Sequence, residues 1–308
     1  MTVDMHRGVA MTSPVGFLGL GRMGMAIASR MQTVGDPLVV WNRRSTEAVA
    51  SLVARGATAV ASSRDALATP LSFSMLADDA AADAVLSVEN LGTGPAGRVH
   101  VNMASVSAQM ADRLADRFAS AGVDYVAAPV LGRPEVAAAG KLNVIVAGPD
   151  AAVARADPHL AACSVRRWRM GTVPRQASAT KIAMNYMLLQ ALESMGESIA
   201  LVEGEGVDAA AFVDLFTHTF FAGMVHQTYG GIIAERRYHP AGFSVALGDK
   251  DLRLAVALAA ESGADLPSAP VLSARLAAAL ADPELADGDW SGIAEISRAS
   301  VRDTTRRP

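Results

Sequence analysis

The chain has 308 residues, a length that fits two domains of ordinary size, and 51% of them are hydrophobic. This apolar content is ample for packed cores and excludes an intrinsically disordered protein. The formal net charge of −4 predicts no basic face, so we expect no nucleic-acid partner. The only cysteine, Cys163, cannot form an internal disulfide bond. A chain of this kind is typical of a reducing compartment, so we expect the cytoplasm.

Membrane spans and metal sites are not predicted either. The sequence has no run of roughly 18 uncharged apolar residues, the length that a membrane span requires. The six histidines are scattered, without the spacing of metal ligands, so we expect no metal site. Residues 1–14 lack the apolar segment of a signal peptide and are expected to form a flexible tail.

Strand-like and helix-like patterns alternate from residue 15 to residue 172. Short apolar runs predict strands, and the longer stretches between them predict helices. This alternation is typical of βαβ units. We therefore expect an α/β domain with a Rossmann-like, doubly wound parallel sheet covered by helices on both faces. The predicted strands span 15–18, 38–41, 57–60, 71–76, 99–102, 124–127 and 143–147.

The first predicted strand leads directly into a G-x-G-x-x-G turn, and a predicted helix follows. In such a turn the first glycine permits a tight bend and the second lets backbone approach a pyrophosphate. The third lets the helix pack close to the strand. Phosphates then bind the N–H groups at the helix N-terminus. We therefore predict a dinucleotide cofactor, bound by Gly19, Leu20, Gly21, Arg22, Met23 and Gly24.

The residues after the second predicted strand indicate which dinucleotide binds. Sites for NAD usually carry Asp or Glu here, which binds the ribose 2′-hydroxyl. This chain instead has Asn42, Arg43, Arg44 and Ser45, and its next acid is Glu47. Arginines suit a 2′-phosphate, whereas an acid would repel it. We therefore predict that the cofactor is NADPH (NADP+).

The pattern changes after residue 172, where no strand pattern interrupts a series of predicted helices. Residues 178–203 predict one long helix that is apolar almost all round, which indicates burial on every side. We expect this helix to join the two domains and to pack against a partner subunit. Residues 173–308 are accordingly predicted to form an all-α domain for dimerisation and substrate binding. Its other predicted helices span 209–219, 223–235, 250–262, 268–281 and 291–302.

Lys181 and Asn185 lie four residues apart, on one face of the long predicted helix. A lysine that is desolvated beside a nicotinamide can hold a lowered pKa. It can then donate a proton to a carbonyl oxygen as hydride arrives. The asparagine can fix the substrate or the lysine by hydrogen bonds. The pair predicts general acid–base chemistry, and a solvated lysine near a helix start is the alternative interpretation.

Further motifs follow the glycine turn in order. Residues 102–107 are similar to D-x-S-T-x-x-P, and residues 128–142 to A-P-V-S-G-G followed by A-x-x-G-x-L. Residues 181–185 match K-x-x-x-N, and Phe243 with residues 250–252 is similar to F…K-D-L. Together these motifs resemble those of the β-hydroxyacid dehydrogenase family, whose members are similar to 6-phosphogluconate dehydrogenase. It includes 3-hydroxyisobutyrate dehydrogenases and glyoxylate or succinic semialdehyde reductases, and imine reductases share its architecture.

The resemblance implies roles for individual residues, a homodimer, and active sites that lie between domains. Lys181 matches the family's general acid/base and Asn185 its hydrogen-bonding partner. Ser105 stands where the family has a substrate-contacting threonine. These three are the predicted catalytic residues. Further cofactor contacts are implied for Leu76, Ala77, Asp78 and Lys250. Substrate-side positions are implied for Leu131, Gly132, Arg133, Phe243 and Asp251.

Departures from the family's motifs bear on the substrate. Where the family has the serine of P-V-S-G-G, this chain has Leu131, which cannot donate a hydrogen bond. A substrate carboxylate would lose a partner worth about 1.5–3 kcal/mol. Arg133 can restore anion binding or remain a solvated turn residue. The D-x-S-T motif has Asn102 and Ala104 in place of its acid and first serine. We therefore expect a larger or less polar carbonyl compound than a small 3-hydroxy acid.

Two alternative functions stay open. Imine reductases typically replace the catalytic lysine by aspartate or tyrosine, and an ammonium at Lys181 would repel an iminium carbon. Leu131, in contrast, favours the less polar substrates that are typical of imine reductases. The lysine acts at the reacting atom, so carbonyl reduction is the main hypothesis and imine reduction or reductive amination the alternative. A non-catalytic NADP-binding module is a minor alternative, which the intact Lys181 and Asn185 oppose.

Overall fold

The computed structural model describes residues 13–44, 47–92 and 94–300. The chain divides into two compact units, which we call unit 1 (Met1–Lys181) and unit 2 (Ile182–Pro308). Over the described ranges, no helix combines the length and the hydropathy needed to cross a membrane. The predicted tail falls almost entirely outside the described residues.

Unit 1 is built on a sheet whose strands are β1 (Val15–Leu18), β2 (Leu38–Trp41), β3 (Thr58–Ala59), β4 (Leu71–Ser74), β5 (Val99–Asn102), β6 (Asp124–Ala127), β7 (Val130–Leu131), β8 (Leu142–Ala147) and β9 (Ser164–Gly171). The order is β3-β2-β1-β4-β5-β6-β8-β7, with β9 paired to β8. Strands β1 to β6 are all parallel, the arrangement of a Rossmann fold. Strand β8 runs antiparallel to β6 and β7. The predicted doubly wound, mostly parallel sheet is therefore confirmed.

Two hydrophobic clusters hold the helices of unit 1 on the sheet. Phe17 belongs to one cluster and Leu18 to the other, and both are fully buried. Because consecutive residues of a strand point to opposite faces, both faces of the sheet are covered. The helices are α1 (Arg22–Thr33), α2 (Glu47–Val53), α3 (Ser63–Leu67), α4 (Asp79–Val85), α5 (Val88–Leu91), α6 (Ala108–Ser120), α7 (Pro134–Ala138) and α8 (Asp150–Cys163).

The sequence pattern missed two strands of this sheet. Strand β9 has a mostly exposed sequence that contains Arg166, Arg167 and Arg169, so it offers no apolar run. Strand β7 is only two residues long. Strands β1, β2, β5 and β6, in contrast, have the predicted bounds, because each is a short run of mostly buried or half-buried residues between neighbouring strands.

Unit 2 is helical, and α9 (Pro174–Glu203) begins in unit 1 and continues into it. The other helices are α10 (Ala209–Thr217), α11 (Met224–Ala234), α12 (Val245–Ser262), α13 (Ala269–Ala281) and α14 (Ala294–Ala299), with a 3₁₀ helix at Trp290–Ile293. Within the single chain, the long helix is not buried on every side. Met187 and Leu201 are 64% and 72% exposed, because the helix packs its other faces on the core of unit 2, around Leu192 and Ile199.

Candidate active site

The turn between β1 and α1 uses its three glycines in different ways. Gly19 has φ +89°, and a Cβ there would lie 2.4 Å from the carbonyl oxygen of Met75. A Cβ on Gly24 would lie 1.9 Å from the carbonyl oxygen of Gly19. Gly21 caps α1 without a side-chain hydrogen bond, and a Cβ there would meet nothing within 4 Å. The fold itself therefore requires Gly19 and Gly24, whereas Gly21 leaves an open cradle at the helix N-terminus that suits a pyrophosphate.

Alanine substitutions are expected to separate these two requirements. Gly24→Ala forces a Cβ into backbone and is expected to lower the unfolding free energy of the cofactor-free protein by about 1–3 kcal/mol. Gly21→Ala meets open space at φ −68° and is expected to change it by less than about 1 kcal/mol. It is expected to weaken NADPH binding at least about tenfold, because the methyl group would occupy the space predicted for the phosphates. Urea unfolding and fluorescence titration with NADPH measure the two effects. Unchanged NADPH affinity in Gly21→Ala would contradict this assignment.

Asn42 ties the glycine turn to the arginine loop after β2. Its Oδ1 accepts a hydrogen bond from the Leu20 N–H at 3.0 Å, and its Nδ2 donates to the Arg44 carbonyl at 3.0 Å. Arg43 and Arg44 are exposed. Ser45, also predicted to bind the cofactor, lies outside the described residues. The asparagine holds the loop without adding the negative charge that an aspartate would bring, so the residues present fit a phosphorylated ribose.

The loops that follow β4 and β5 are joined at the carboxyl ends of these parallel strands. Leu76 is half-buried, while Ala77 and Asp78 are exposed and lead into α4. The Asp79 carboxylate accepts hydrogen bonds from the N–H of Ser107 at 2.9 Å and from its hydroxyl at 2.5 Å. These two hydrogen bonds connect the loops and stabilise them. Ligands of open α/β sheets bind beyond this edge of the sheet, and the resemblance implies cofactor and substrate contacts in the same loops.

A chain of buried polar side chains crosses the sheet beneath these loops. The two ring nitrogens of His100 lie 2.8 Å and 2.9 Å from the hydroxyls of Ser72 and Ser74. Burial lowers the pKa of His100 to about 3, so the ring is neutral at ordinary pH. The ring also stacks on Phe118, with centroids 4.8 Å apart.

The buried hydrogen-bond network continues to Asn102, the residue that replaces the acid of the D-x-S-T motif. Asn102 Oδ1 accepts hydrogen bonds from the Ser74 hydroxyl at 3.3 Å and from the Ala104 N–H at 3.1 Å. Its Nδ2 donates to the Tyr125 hydroxyl at 3.1 Å. The amide therefore shapes the turn that carries the half-buried Ser105. Sequence reasoning missed this network, although its signal is the alternation of polar with apolar residues in L-S-F-S and V-H-V-N.

Strand β7 sets the positions that depart from the family's substrate motif. Leu131 pairs with Asn143 of β8, and its half-buried side chain packs against the second apolar cluster of unit 1. Gly132 has φ +139°, and a Cβ there would lie 2.7 Å from Leu142. The half-buried Arg133 precedes α7 as its N-cap residue. The surface that Leu131 contributes is thus apolar, and no hydroxyl replaces the missing serine at that position.

The motif residues around Asn185 converge in unit 2. Asn185 and Asp251 are each 5% exposed, and the Asn185 Nδ2 donates to the Asp251 Oδ2 at 2.5 Å. The Lys250 ammonium lies 3.6 Å from the Asp251 Oδ1. The half-buried Lys181 precedes Asn185 by one turn of α9. The structure therefore brings K-D-L into contact with the asparagine of K-x-x-x-N.

Phe243 is held by Asp289 and Trp290. Its N–H donates to the Asp289 carboxylate at 3.1 Å, and its ring centroid lies 4.6 Å from that of Trp290. The ring of Trp290 in turn packs edge-on against that of Tyr229 of α11, with ring centroids 6.1 Å apart. These contacts stabilise the segment that leads into α12. Among the described side chains, no group of three or more metal-ligating residues clusters.

Two families match successive parts of the chain. Residues 14–171 match the family described as the NAD binding domain of 6-phosphogluconate dehydrogenase. Residues 176–296 match the family described as NAD-binding of NADP-dependent 3-hydroxyisobutyrate dehydrogenase.

Several relatives cover most of the chain. The uncharacterised oxidoreductase YfjR of Bacillus subtilis is 34% identical over 91% of this chain and 98% of its own. Glyoxylate/succinic semialdehyde reductase 2 of Arabidopsis thaliana is 27% identical over 94% of this chain and 80% of its own.

Solved structures share the fold. A Mycobacterium tuberculosis 3-hydroxyisobutyrate dehydrogenase with L-serine has a TM-score of 0.84 at 24% identity, covering 94% of this chain and 100% of that one. A reductive aminase from Aspergillus terreus, in complex with NADPH and ethyl levulinate, has a TM-score of 0.59 at 24% identity, covering 93% of this chain and 99% of that one.

The family matches span nearly all of both units, and the resemblance predicted from the motifs is confirmed. A Rossmann domain is followed by a helical domain in the chain, as in the 3-hydroxyisobutyrate dehydrogenase structure. The chain accordingly belongs to the family of β-hydroxyacid dehydrogenases related to 6-phosphogluconate dehydrogenase, and it is a nicotinamide-dependent oxidoreductase.

Proposed function

We propose that this protein is an NADPH-dependent oxidoreductase that interconverts a carbonyl compound and its alcohol, with Lys181 as the general acid/base. The observation that carries the proposal is the pair Lys181 and Asn185 on α9, with Asn185 anchored to the buried Asp251. A half-buried lysine one helical turn from an anchored amide is better suited to proton transfer than a solvated surface lysine is.

The preference for NADPH is supported by charge. Arg43 and Arg44 are exposed beside the glycine turn, and Asn42 keeps the end of β2 free of an acid. The family matched by residues 176–296 is described as NADP-dependent, and the reductive aminase was solved with NADPH. We propose that the N-terminus of α1 holds the pyrophosphate and that the two arginines hold the 2′-phosphate.

Replacing Arg43 and Arg44 together with alanine is expected to raise the dissociation constant of NADPH by roughly 10- to 100-fold, because charge-assisted hydrogen bonds to the 2′-phosphate are lost. The dissociation constant of NADH is expected to change by less than about threefold, since NADH lacks that phosphate. Fluorescence titration with each cofactor measures both values. Arg55→Ala is the matched control, because Arg55 hydrogen-bonds Ser29 and Ser51 away from this loop. Equal losses for both cofactors would contradict the assignment.

The proposed chemistry divides the work between cofactor and protein. Bound NADPH supplies the hydride to the carbonyl carbon. Lys181 then gives a proton to the carbonyl oxygen, and in the reverse direction it removes the proton from the hydroxyl. Ser105 and the 131–133 turn are proposed to orient the substrate.

Substrate preference is proposed to follow the apolar surface at Leu131. A carboxylate bound there would lack the hydroxyl partner, which costs about 1.5–3 kcal/mol. We therefore propose aldehydes or ketones with an apolar group at this position. The same feature keeps imine reduction as the alternative, and the likeness to a reductive aminase supports it at the level of fold.

The deciding experiment follows NADPH oxidation at 340 nm against one panel of carbonyl acids, aldehydes and ketones and one panel of cyclic imines, with NADH in parallel. Turnover of carbonyls is the expected result. Turnover of imines alone would overturn the carbonyl proposal and indicate that Leu131 predicts the substrate better than Lys181. Absence of NADPH oxidation with either panel would favour the non-catalytic alternative.

A homodimer in the cytoplasm is also proposed. The exposed methionine and leucine side chains of α9, Met187 and Leu201, favour a partner subunit against this helix. The lone Cys163 is buried, and a chain without disulfide bonds favours a reducing compartment.

A further inference from the structure

We infer that Asp251 is a positioning residue, which fixes the orientation of the Asn185 amide so that a hydrogen-bond acceptor faces the proton-transfer group. The inference rests on the proposed function of Lys181 and Asn185. It concerns a residue for which the family resemblance implied only a place near the substrate. Asp251 is 5% exposed, and its carboxylate has two partners within unit 2.

The two oxygens of Asp251 have different tasks. Oδ1 lies 3.6 Å from the Lys250 ammonium, which supplies the opposite charge that a buried carboxylate requires. Oδ2 accepts the hydrogen bond from Asn185 at 2.5 Å. An ionised carboxylate can only accept hydrogen bonds. Asn185 must therefore turn its NH₂ group toward Asp251.

The orientation of an asparagine amide matters because its two ends have opposite hydrogen-bonding character. With Nδ2 committed to Asp251, Oδ1 lies on the other side of the amide as an acceptor. An acceptor suits the Lys181 ammonium one turn earlier on α9, or the hydroxyl that forms when a carbonyl oxygen is protonated. The reversed amide would present a donor, which opposes both groups.

Asp251→Asn is expected to reverse this orientation. The Lys250 ammonium would attract the carbonyl oxygen of the asparagine introduced at position 251, so the NH₂ group of that asparagine would face Asn185. Asn185 would then turn its own oxygen toward position 251 and present NH₂ to the proton-transfer group. The expected result is a fall in kcat of roughly 10-fold or more, the size of effect expected for a lost hydrogen bond to a charged group. KM and the NADPH dissociation constant are expected to change by less than about threefold.

The swapped double variant Asn185→Asp with Asp251→Asn provides the decisive comparison. The amide introduced at position 251 would donate to one oxygen of the carboxylate introduced at position 185, and the other oxygen of that carboxylate would again be an acceptor. We expect the kcat of the double variant to exceed that of either single variant by at least about fivefold, which simple loss of packing would not produce. Asp249→Asn, on the same helix, is the matched control, because Asp249 pairs with Arg253 instead.

Urea unfolding of the same variants separates failure of this inference from failure of the proposed function. If wild type reduces no carbonyl compound, the proposed function fails. In that case the hydrogen bond between Asn185 and Asp251 is tested by stability alone: the double variant should regain the unfolding free energy that each single variant loses. If the variants fold but the double variant recovers neither kcat nor unfolding free energy relative to the single variants, the inference is overturned. Recovery of unfolding free energy without recovery of kcat, in an active wild type, would also overturn it.

Discussion

Replacing Lys181 with alanine is expected to lower kcat for carbonyl reduction by about 10²–10⁴-fold while the NADPH dissociation constant stays nearly unchanged. The reason is that the alkoxide that forms as hydride arrives needs a proton in the transition state, and water replaces the ammonium poorly. The cofactor contacts proposed for the glycine turn and the arginine loop involve no atom of Lys181. Steady-state kinetics at 340 nm with the best carbonyl substrate, together with fluorescence titration of NADPH, measure the two parts of this prediction.

Lys141→Ala is the matched control for this experiment. Lys141 is exposed and lies outside the proposed catalytic and cofactor residues, so its replacement is expected to leave kcat within about twofold of wild type. Lys181→Arg tests the acid more narrowly, because arginine keeps the positive charge but does not release its proton at ordinary pH. Full activity of Lys181→Ala toward carbonyl compounds would end the assignment. Activity in Lys181→Arg close to wild type would show that charge, rather than proton donation, is the contribution of the lysine.

The sequence was most informative where a local rule determines structure. Apolar runs located β1 and β2 because strands inside a parallel sheet are buried on both faces. The glycine turn was predictable because Gly24 approaches the backbone of Gly19 within the same short segment. The rule fails for the arginine-rich β9, because its side chains are largely exposed and its sequence contains no apolar run.

Contacts between distant residues could not be read from the pattern. Asn185 and Asp251 are 66 positions apart, and their hydrogen bond depends on how α12 packs in unit 2. The family motifs suggested that both residues matter, but not that one holds the other. Asn102 shows the same limit. As a sequence feature it is a lost acid, whereas the structure shows an amide that donates to Tyr125 and accepts from Ala104, which an ionised aspartate cannot do.

The buried histidine of that network gives a second large expected effect, in stability. Burial lowers the pKa of His100 to about 3 in the folded protein, whereas an unfolded histidine titrates near 6.5. Between these two values the unfolded chain binds a proton that the folded chain does not. Stability from the neutral ring is therefore fully present above pH 6.5 and is lost as the pH falls toward 3. Lowering the pH from 7 to 5 is expected to reduce the unfolding free energy by about 2 kcal/mol through this group.

His100→Gln isolates this contribution, because glutamine keeps polar atoms near Ser72 and Ser74 but does not titrate. The variant is expected to be less stable at pH 7, since the ring stacks on Phe118. Its unfolding free energy is expected to fall less steeply than that of wild type between pH 7 and pH 5. Urea unfolding at four or five pH values measures the two slopes. Equal slopes for wild type and His100→Gln would mean that the imidazole accepts a proton in the folded state. The buried polar network around His100 would then carry charge at acidic pH, and the turn shaped by Asn102 would be pH-sensitive rather than fixed.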